Sequence, residues 1–432
     1  MSKFVRLSPR RGSAWLLSAL LLPSLALAQL RIDITSGVSD PIPVALVPIV
    51  GLADDLASIA SDDLVRTGRF RALARAALPA QPSRSAELQS AQWRSAGADY
   101  VVLGRNVSAP GEFAAEVEIV NMLTNVRLTS GAGQRIAAST PRRLAHLIAD
   151  LVHEKVLGVR GAFATHLAYV SVDGSPPAQR YQLIIADADG ANARIVLDSR
   201  QPIMSPSWSP DGEWLAYVSF EGRISGIYVQ RLRSGERRRV SARIGINGAP
   251  AWSPDGRQLA LTLSGSAGNL DVYVLELSSQ QLTRLTNDAG IDTEPTWSPD
   301  GKQIYFTSDR GGGPQIYRAT VGVGDAPQRV SFGSRYNARP RLSPDGRWLA
   351  FVTLDNGAYR IAIQDLASGA ARVLSKGRND ESPSFAPNGA AIIFAGKERG
   401  AGTLTVIATD GLASQRLKAD KGEVREPAWG PF

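Results

Sequence analysis

Pro206-Ser-Trp208-Ser-Pro210-Asp211-Gly212 decides the fold, because the chain repeats it. The phrase returns as Pro250-Ala-Trp252-Ser-Pro254-Asp255-Gly256 and as Pro295-Thr-Trp297-Ser-Pro299-Asp300-Gly301. It weakens to Pro340-Arg-Leu342-Ser-Pro344-Asp345-Gly346 and Pro383-Ser-Phe385-Ala-Pro387-Asn388-Gly389, and the chain ends inside a sixth copy, Pro427-Ala-Trp429-Gly-Pro431-Phe432. Successive leading prolines stand 44, 45, 45, 43 and 44 residues apart. That period fits one four-stranded blade of a β-propeller.

The chemistry inside each unit agrees. Pro-Asp-Gly suits a tight turn: Pro presets φ, Asp bonds its own backbone, and Gly tolerates positive φ. Each turn is followed by a nearly unbroken apolar run, such as Trp214–Ser219, Gln258–Thr262, Gln303–Thr307, Trp348–Thr353 and Ala391–Ala395, as a sheet buried on both faces requires. A third strand such as Gly226–Gln230 or Leu270–Leu275, a Ser-Gly or Ser-Ser turn and a fourth such as Gln281–Leu285 complete the unit. The last copy supplies one strand only, while Phe163–Ser171, Tyr181–Ala186 and Ala193–Leu197 read as second, third and fourth strands without a first. The two ends therefore make one blade, which gives six and leaves no open edge at the seam. Trp208, Trp252, Trp297 and Trp429 then belong to the packing between blades.

Residues 29–160 lack the repeat and read as a mixed α/β domain, with residues 161–432 forming the all-β propeller. Leu30–Ile34 alternates like an edge strand, Pro43–Val50 reads as a buried one, and Asp54 and Asp55 open a helix that Thr67-Gly68 ends. A second helix is expected over Ser85–Ala96, strands over Tyr100–Val107, Phe113–Asn121 and Val126–Leu128, and a long helix over Pro141–Val156. Gly158-Val-Arg-Gly161 reads as a hinge.

The first residues set the compartment. Lys3, Arg6, Arg10 and Arg11 precede an apolar run from Ala14 to Ala28 that ends in Ala26-Leu27-Ala28, the pattern of a cleaved signal peptide over residues 1–28. The run is broken by Pro23 and is shorter than the ~20 residues of a spanning helix, so no membrane anchor is expected. Arg10-Arg11 leaves the general and twin-arginine routes both open. Of 48 basic and 40 acidic side chains, four basic and no acidic ones lie in this leader, so the exported chain carries a formal +4 rather than +8. The charges are dispersed; the one tight run, Arg237–Arg239, reads as a solvated turn, and nucleic-acid binding is not expected. There is no cysteine, hence neither disulfide nor thiolate chemistry.

Taken together, the leader, the α/β domain, the six repeats and the closing strand resemble the TolB family over the whole chain. The phrases Asp33–Gly37, Met204–Trp208, Asn247–Trp252, Thr293–Trp297 and Thr307–Gly311 are similar to motifs of that family rather than of propellers at large. The resemblance implies a periplasmic, non-catalytic scaffold of the Tol-Pal system, expected as a monomer without cofactor or metal, that links the peptidoglycan-associated lipoprotein Pal with TolA and supports envelope integrity during cell division. It implies Pal contacts on the loops before each innermost strand, at Pro202, Met204, Asn247, Ala249, Thr293 and Glu294, and a TolA-binding arm carrying Leu30, Ile32, Ile34 and Val38. The family often has His where Ile246 stands, which removes any polar contact that His would make. Charge reversal at Glu294 is expected to weaken Pal binding while leaving the propeller folded.

The competing class is a metal-dependent, lactonase-like propeller enzyme, with acidic residues such as Asp292 or Glu381 converging on the channel. No G-x-S-x-G nucleophile elbow occurs. His146, His153 and His166 form no H-x-x-x-H zinc pair and read as structural or solvated.

Overall fold

The computed structural model describes residues 30–36, 40–52, 55–265, 268–398, 400–419 and 422–432. The expected leader, Val38 and Asp54 lie outside them. Six antiparallel units of four propeller strands each radiate from a channel; in the second to sixth the strands run from innermost to outermost in chain order, while the first takes its innermost strand from the C-terminal end of the chain. The second blade shows the pattern: Ile203–Trp208, Trp214–Ser219, Gly226–Arg231 and Arg237–Ser241. The third starts at Asn247–Trp252, the fourth at Asp292–Trp297, the fifth at Asn337–Leu342 and the sixth at Glu381–Phe385. Arg237–Ser241 is thus an outer strand and not a turn. Arg237 lies 3.9 Å over the Tyr228 ring and pairs with Glu221 at 2.6 Å.

The ring closes as its repeat demands. Glu423–Trp429 becomes the innermost strand of the first blade, pairing with His166–Asp173 from Glu423 opposite Val172 to Trp429 opposite Leu167. Between neighbouring blades lie apolar layers made from alternate faces of the middle strands, which include Tyr169, Tyr217, Leu261, Phe306, Leu349 and Ile392 in turn. The Pro-Asp-Gly turns are locked by the serine before them. In the third blade, Ser253 Oγ donates to Asp255 Oδ1 (2.6 Å) and accepts from Gln258 N–H (2.9 Å), and Gly256 takes φ +71°. That bond chiefly holds the Asp255 carboxyl below its ordinary pKa.

Tryptophan joins blade to blade at the channel wall. The indole N–H groups of Trp208, Trp252 and Trp297 donate to the carbonyls of Ala428, Ser207 and Ala251, each on the innermost strand of the preceding blade, at 3.0–3.1 Å. Trp429 donates instead to Thr165 Oγ1 (2.9 Å), while its own backbone N–H reaches Ser384 Oγ (3.0 Å).

The α/β unit has a sheet ordered Phe70–Ala72, Ile42–Leu46, Tyr100–Asn106, Phe113–Asn121, with Val126–Arg127 and Gln134–Ala138 both pairing the last. Helices α1 (Leu56–Arg66) and α3 (Pro141–Leu157) cover one face through Leu64, Leu144, Ile148 and Val152. Trp93, on the short α2 (Ser90–Ser95), covers the other with Val101, Leu103 and Met122. The expected single helix over 85–96 is therefore a 3-10 turn at Ser85–Glu87 followed by α2. Thr140 caps α3, accepting from Arg143 N–H at 3.2 Å, and Gly158 ends it at φ +78°.

Two further expectations are corrected. Leu30–Ser36 is not part of the α/β sheet: it lies antiparallel on Ser414–Ala419 as a fifth, outermost strand of the sixth blade, with Leu30 opposite Ala419 and Ile34 opposite Gln415. The supposed hinge at 158–161 is tied down, because buried Asp150 accepts from Phe163 N–H at 2.7 Å. Gly161 passes so close that a Cβ there would sit 2.5 Å from Asp150 Oδ1. No helix among the described residues is long and apolar enough to cross a membrane.

Replacing Trp252 by Phe keeps the packing but strands the Ser207 carbonyl, so stability should fall by about 1–2 kcal/mol in urea unfolding. An unchanged midpoint would mean the indole bond does not hold the ring.

Candidate functional site

Every innermost strand carries a β-bulge at the same place, just ahead of the leading proline. The residue before that proline has positive φ in all six: Ser205, Ala249, Glu294, Arg339, Ser382 and Glu426, between 43° and 57°. Non-glycine residues rarely adopt this region, and bulges re-aim side chains near functional sites. Here the re-aimed residues build the channel wall.

Three of the six are charged, and they meet. Arg339 Nε donates to Glu294 Oε1 at 2.9 Å, an Nη bonds Ser382 Oγ, and the same arm stands 3.6 Å from Glu381 and 3.8 Å from Glu426. Glu294 Oε2 also accepts from Thr307 Oγ1 and from Arg339 N–H at 2.9 and 3.0 Å. Burial opposes the Arg339 charge, but Glu426, Glu294 and Glu381 outweigh it and raise its pKa. The wall opens into a cavity of about 440 Å³ lined by Glu294, Tyr336, Arg339, Tyr359, Glu381 and Lys397, among others.

Around this mouth the loops before the innermost strands and those joining second to third strands emerge at one end of the ring. They carry exposed apolar side chains: Ile244 (95% exposed), Phe332 (67%), Ile246 (50%), and also Ile224 and Ile291, with Met204 exposed on the adjoining innermost strand. Exposed apolar side chains gathered at one end of a molecule are a feature of interaction surfaces.

The residues expected as contacts are redistributed. Met204 is exposed and Pro202 half-buried just ahead of its strand. Thr293 and Ala249 are half-buried within strands, not on loops. Asn247 is wholly buried and cannot reach a partner: it accepts from Ser241 Oγ (2.7 Å) and Arg243 N–H (2.9 Å) and donates to the Arg243 carbonyl (2.8 Å). The equivalent Asp292, Asn337 and Asp380 are buried too; Asp380 likewise accepts from its own loop, at Gly377 N–H, while Asn337 bonds Gln315 and Thr353. Glu294 is tied into the wall, so charge reversal there strikes the fold as well as any contact. Arg339 and Glu426 were missed; the signal was their place one residue before the repeat's proline.

Of the acidic residues expected for metal chemistry, Glu381 lines the cavity beside Arg339, whereas Asp292 does not. Asp292 is clasped by Arg310 through two bonds of 2.7 and 2.9 Å. Among the described residues the one group that could hold a metal is Asp63, His146 and Asp189, between α1, α3 and the first blade. Its carboxylates are already paired, Asp63 with Arg66 and Asp189 with Arg142. His146 Nδ1 lies 2.6 Å from Asp63 Oδ2, and Nε2 lies 3.8 Å from Asp189. We read this as an ionic joint between the α/β unit and the propeller. Burial pushes the His146 pKa below its ordinary 6.5, helped by Arg142 and Arg66 and opposed by Asp189. Burial also lowers the pKa of His153 and His166; His146 and His153 are buried, while His166 is exposed.

Comparison with known proteins points one way. Residues 153–432 match the model described as the TolB beta propeller domain, and residues 30–128 match the TolB amino-terminal domain. The chain is 51% identical over 407 residues to the "Tol-Pal system protein TolB" of Methylococcus capsulatus, covering 94% of this chain and 95% of the relative. It is 47% identical over 432 residues to that of Xanthomonas campestris, covering 97% and 98%. The crystal structure of TolB from Acinetobacter baumannii superposes with a TM-score of 0.86 at 40% identity, covering 94% of this chain and all of that one.

Two outcomes follow from this geometry. Glu294→Arg sets a cation against Arg339 and should cost about 2 kcal/mol, read as a lower urea midpoint; an unchanged midpoint would show that the wall network is idle. A histidine whose folded pKa is depressed takes up its proton more readily when unfolded, so stability should fall as pH drops below 6.5. His146→Gln should flatten that fall between pH 7.5 and 5, and an identical slope would assign it to other groups.

Proposed function

Because the chain belongs to the TolB family, whose curated relatives are named as Tol-Pal system proteins and not as enzymes, we propose that it is a periplasmic, non-catalytic scaffold. In this reading the leader directs export and residues 29–160 and 161–432 act as two domains. The mouth of the propeller binds the lipoprotein Pal, and the N-terminal strand engages TolA, joining inner membrane to outer envelope during division. The observation that carries the reading is the set of exposed apolar side chains Ile244, Ile246, Ile291 and Phe332, on loops at the end of the ring where the charged cavity opens. Binding energy at such faces concentrates in a few apolar or aromatic anchors. Ile246 supplies an apolar contact in place of the histidine common in the family. Met204, Thr293, Ala249 and Pro202 remain contact candidates, and Asn247 supports the loop beneath them. The arm of Leu30, Ile32 and Ile34 lies at the outer edge of the sixth blade, with Ser414–Ala419 on one side only, and its other edge suits strand addition.

The test is a pull-down from periplasmic extract with the chain from residue 29 as bait, followed by titration of the captured lipoprotein. Recovery of a peptidoglycan-binding lipoprotein is expected, with Ile246→Asp and Phe332→Asp each weakening it about tenfold or more at unchanged melting temperature. A folded bait that retains none would sink the proposal.

A further inference from the structure

The sixth blade departs from its siblings on the face turned to the α/β domain. The blades align through a bond that recurs below each Pro-Asp-Gly or Pro-Asn-Gly turn: Leu232, Leu277, Val321 and Leu366 donate to the carbonyls of Glu213, Arg257, Lys302 and Arg347, and Thr409 donates to Ala390. Where the siblings carry those four long side chains, the sixth blade therefore has Ala390. Where they carry Trp214, Gln258, Gln303 and Trp348 it has Ala391, and where they carry Arg231, Glu276, Thr320 and Asp365 it has Ala408.

Stripping this face to methyl groups is what close docking of a second domain demands, yet the docked domain does not fill the room. Between the alanines and Leu157, Val159 and Phe163 lies a cavity of about 330 Å³. Protein interiors keep few voids larger than a water molecule, and each one forfeits contacts on its lining. A space of this size falls instead in the range of small-molecule sites, which favour domain interfaces. Its wall holds one unmet demand: Gln415, which lines the cavity, has its side-chain carbonyl oxygen buried without a partner. The nearby cations are committed, Arg69 to Asp410 and Arg66 to Asp63, so a charged ligand finds no free counter-charge in them.

We propose that this interdomain cavity is a binding site for a small uncharged molecule with an apolar body and one hydrogen-bond donor. The body packs on the alanines, Leu157 and Phe163, and the donor satisfies Gln415 Oε1. Such a ligand touches both domains at once and favours their docked arrangement.

Benzyl alcohol, toluene and benzoate, titrated into the full exported chain and followed by amide NMR shifts and melting temperature, test this. Benzyl alcohol should bind saturably, about tenfold more tightly than toluene because it alone meets the carbonyl, and benzoate should not bind. Gln415→Leu should erase the preference for the alcohol. Ala391→Trp, which restores the residue of two sibling blades, should fill the space and abolish binding; Ala408→Leu makes the same test if that variant misfolds. Absence of saturable binding, binding that survives a folded filling variant, or an alcohol preference that survives Gln415→Leu would each overturn the proposal.

Discussion

The structure depends on holding six innermost strands side by side around a channel although they share no backbone ladder. Neighbouring blades share few backbone bonds, such as Asn337 N–H to the Pro314 carbonyl and the Tyr359–Asn379 bridge, so the spacing of the inner strands is set largely by side chains that reach across. From the first blade to the fourth this is the indole N–H of Trp208, Trp252 and Trp297, each on the carbonyl of the strand before. The fifth and sixth blades have Leu342 and Phe385 at that position, which have no N–H to give. There Arg339 spans the gap, reaching Glu294 on the fourth blade, Ser382 on the sixth and Glu426 on the first. One ring is thus held by two chemistries, and the second is the one that forms the charged channel mouth.

That division explains why so much of the propeller was legible and the site was not. A turn whose serine, aspartate and glycine each satisfy a backbone requirement recurs visibly, and apolar runs beside it mark the second strands to within a few residues. Asn247 reads as a polar loop residue whether it faces solvent or is folded under its own loop, and only the bonds to Ser241 and Arg243 decide between them. Arg339 and Glu426 look like ordinary surface charges until the bulge that turns them inward is seen. In the α/β domain, Phe70–Ala72 and Gln134–Ala138 were missed because short strands on a sheet edge need little apolar pattern; pairing partners specify them.

The placement of Leu30–Ser36 has the same origin. Its alternation announces an edge strand but says nothing about which edge, since backbone pairing is indifferent to sequence. The structure gives it to Ser414–Ala419, the outermost strand of the sixth blade. Chain termini therefore serve opposite ends of adjacent sheets: the C-terminus supplies the innermost strand of the first blade and the N-terminal segment the outermost strand of the sixth.

Departures from six-fold regularity gather at that seam. The added strand, the borrowed closing strand, the Trp429 indole turned to Thr165, the Asn388 side chain bonded to the Arg160 carbonyl, the ionic joint at His146 and the alanine face all lie on the sixth and first blades. A propeller whose blades were alike could dock a second domain on any of them. Here the long polar side chains at the turns of the second to fifth blades oppose close approach, while the sixth removes them and the first offers Asp187 and Asp189 to Arg142 and Arg66. The same small set of substitutions therefore fixes where the α/β domain sits, leaves the opposite end of the ring clear for a partner, and puts the hollow between domains beside the strand that carries the N-terminal arm.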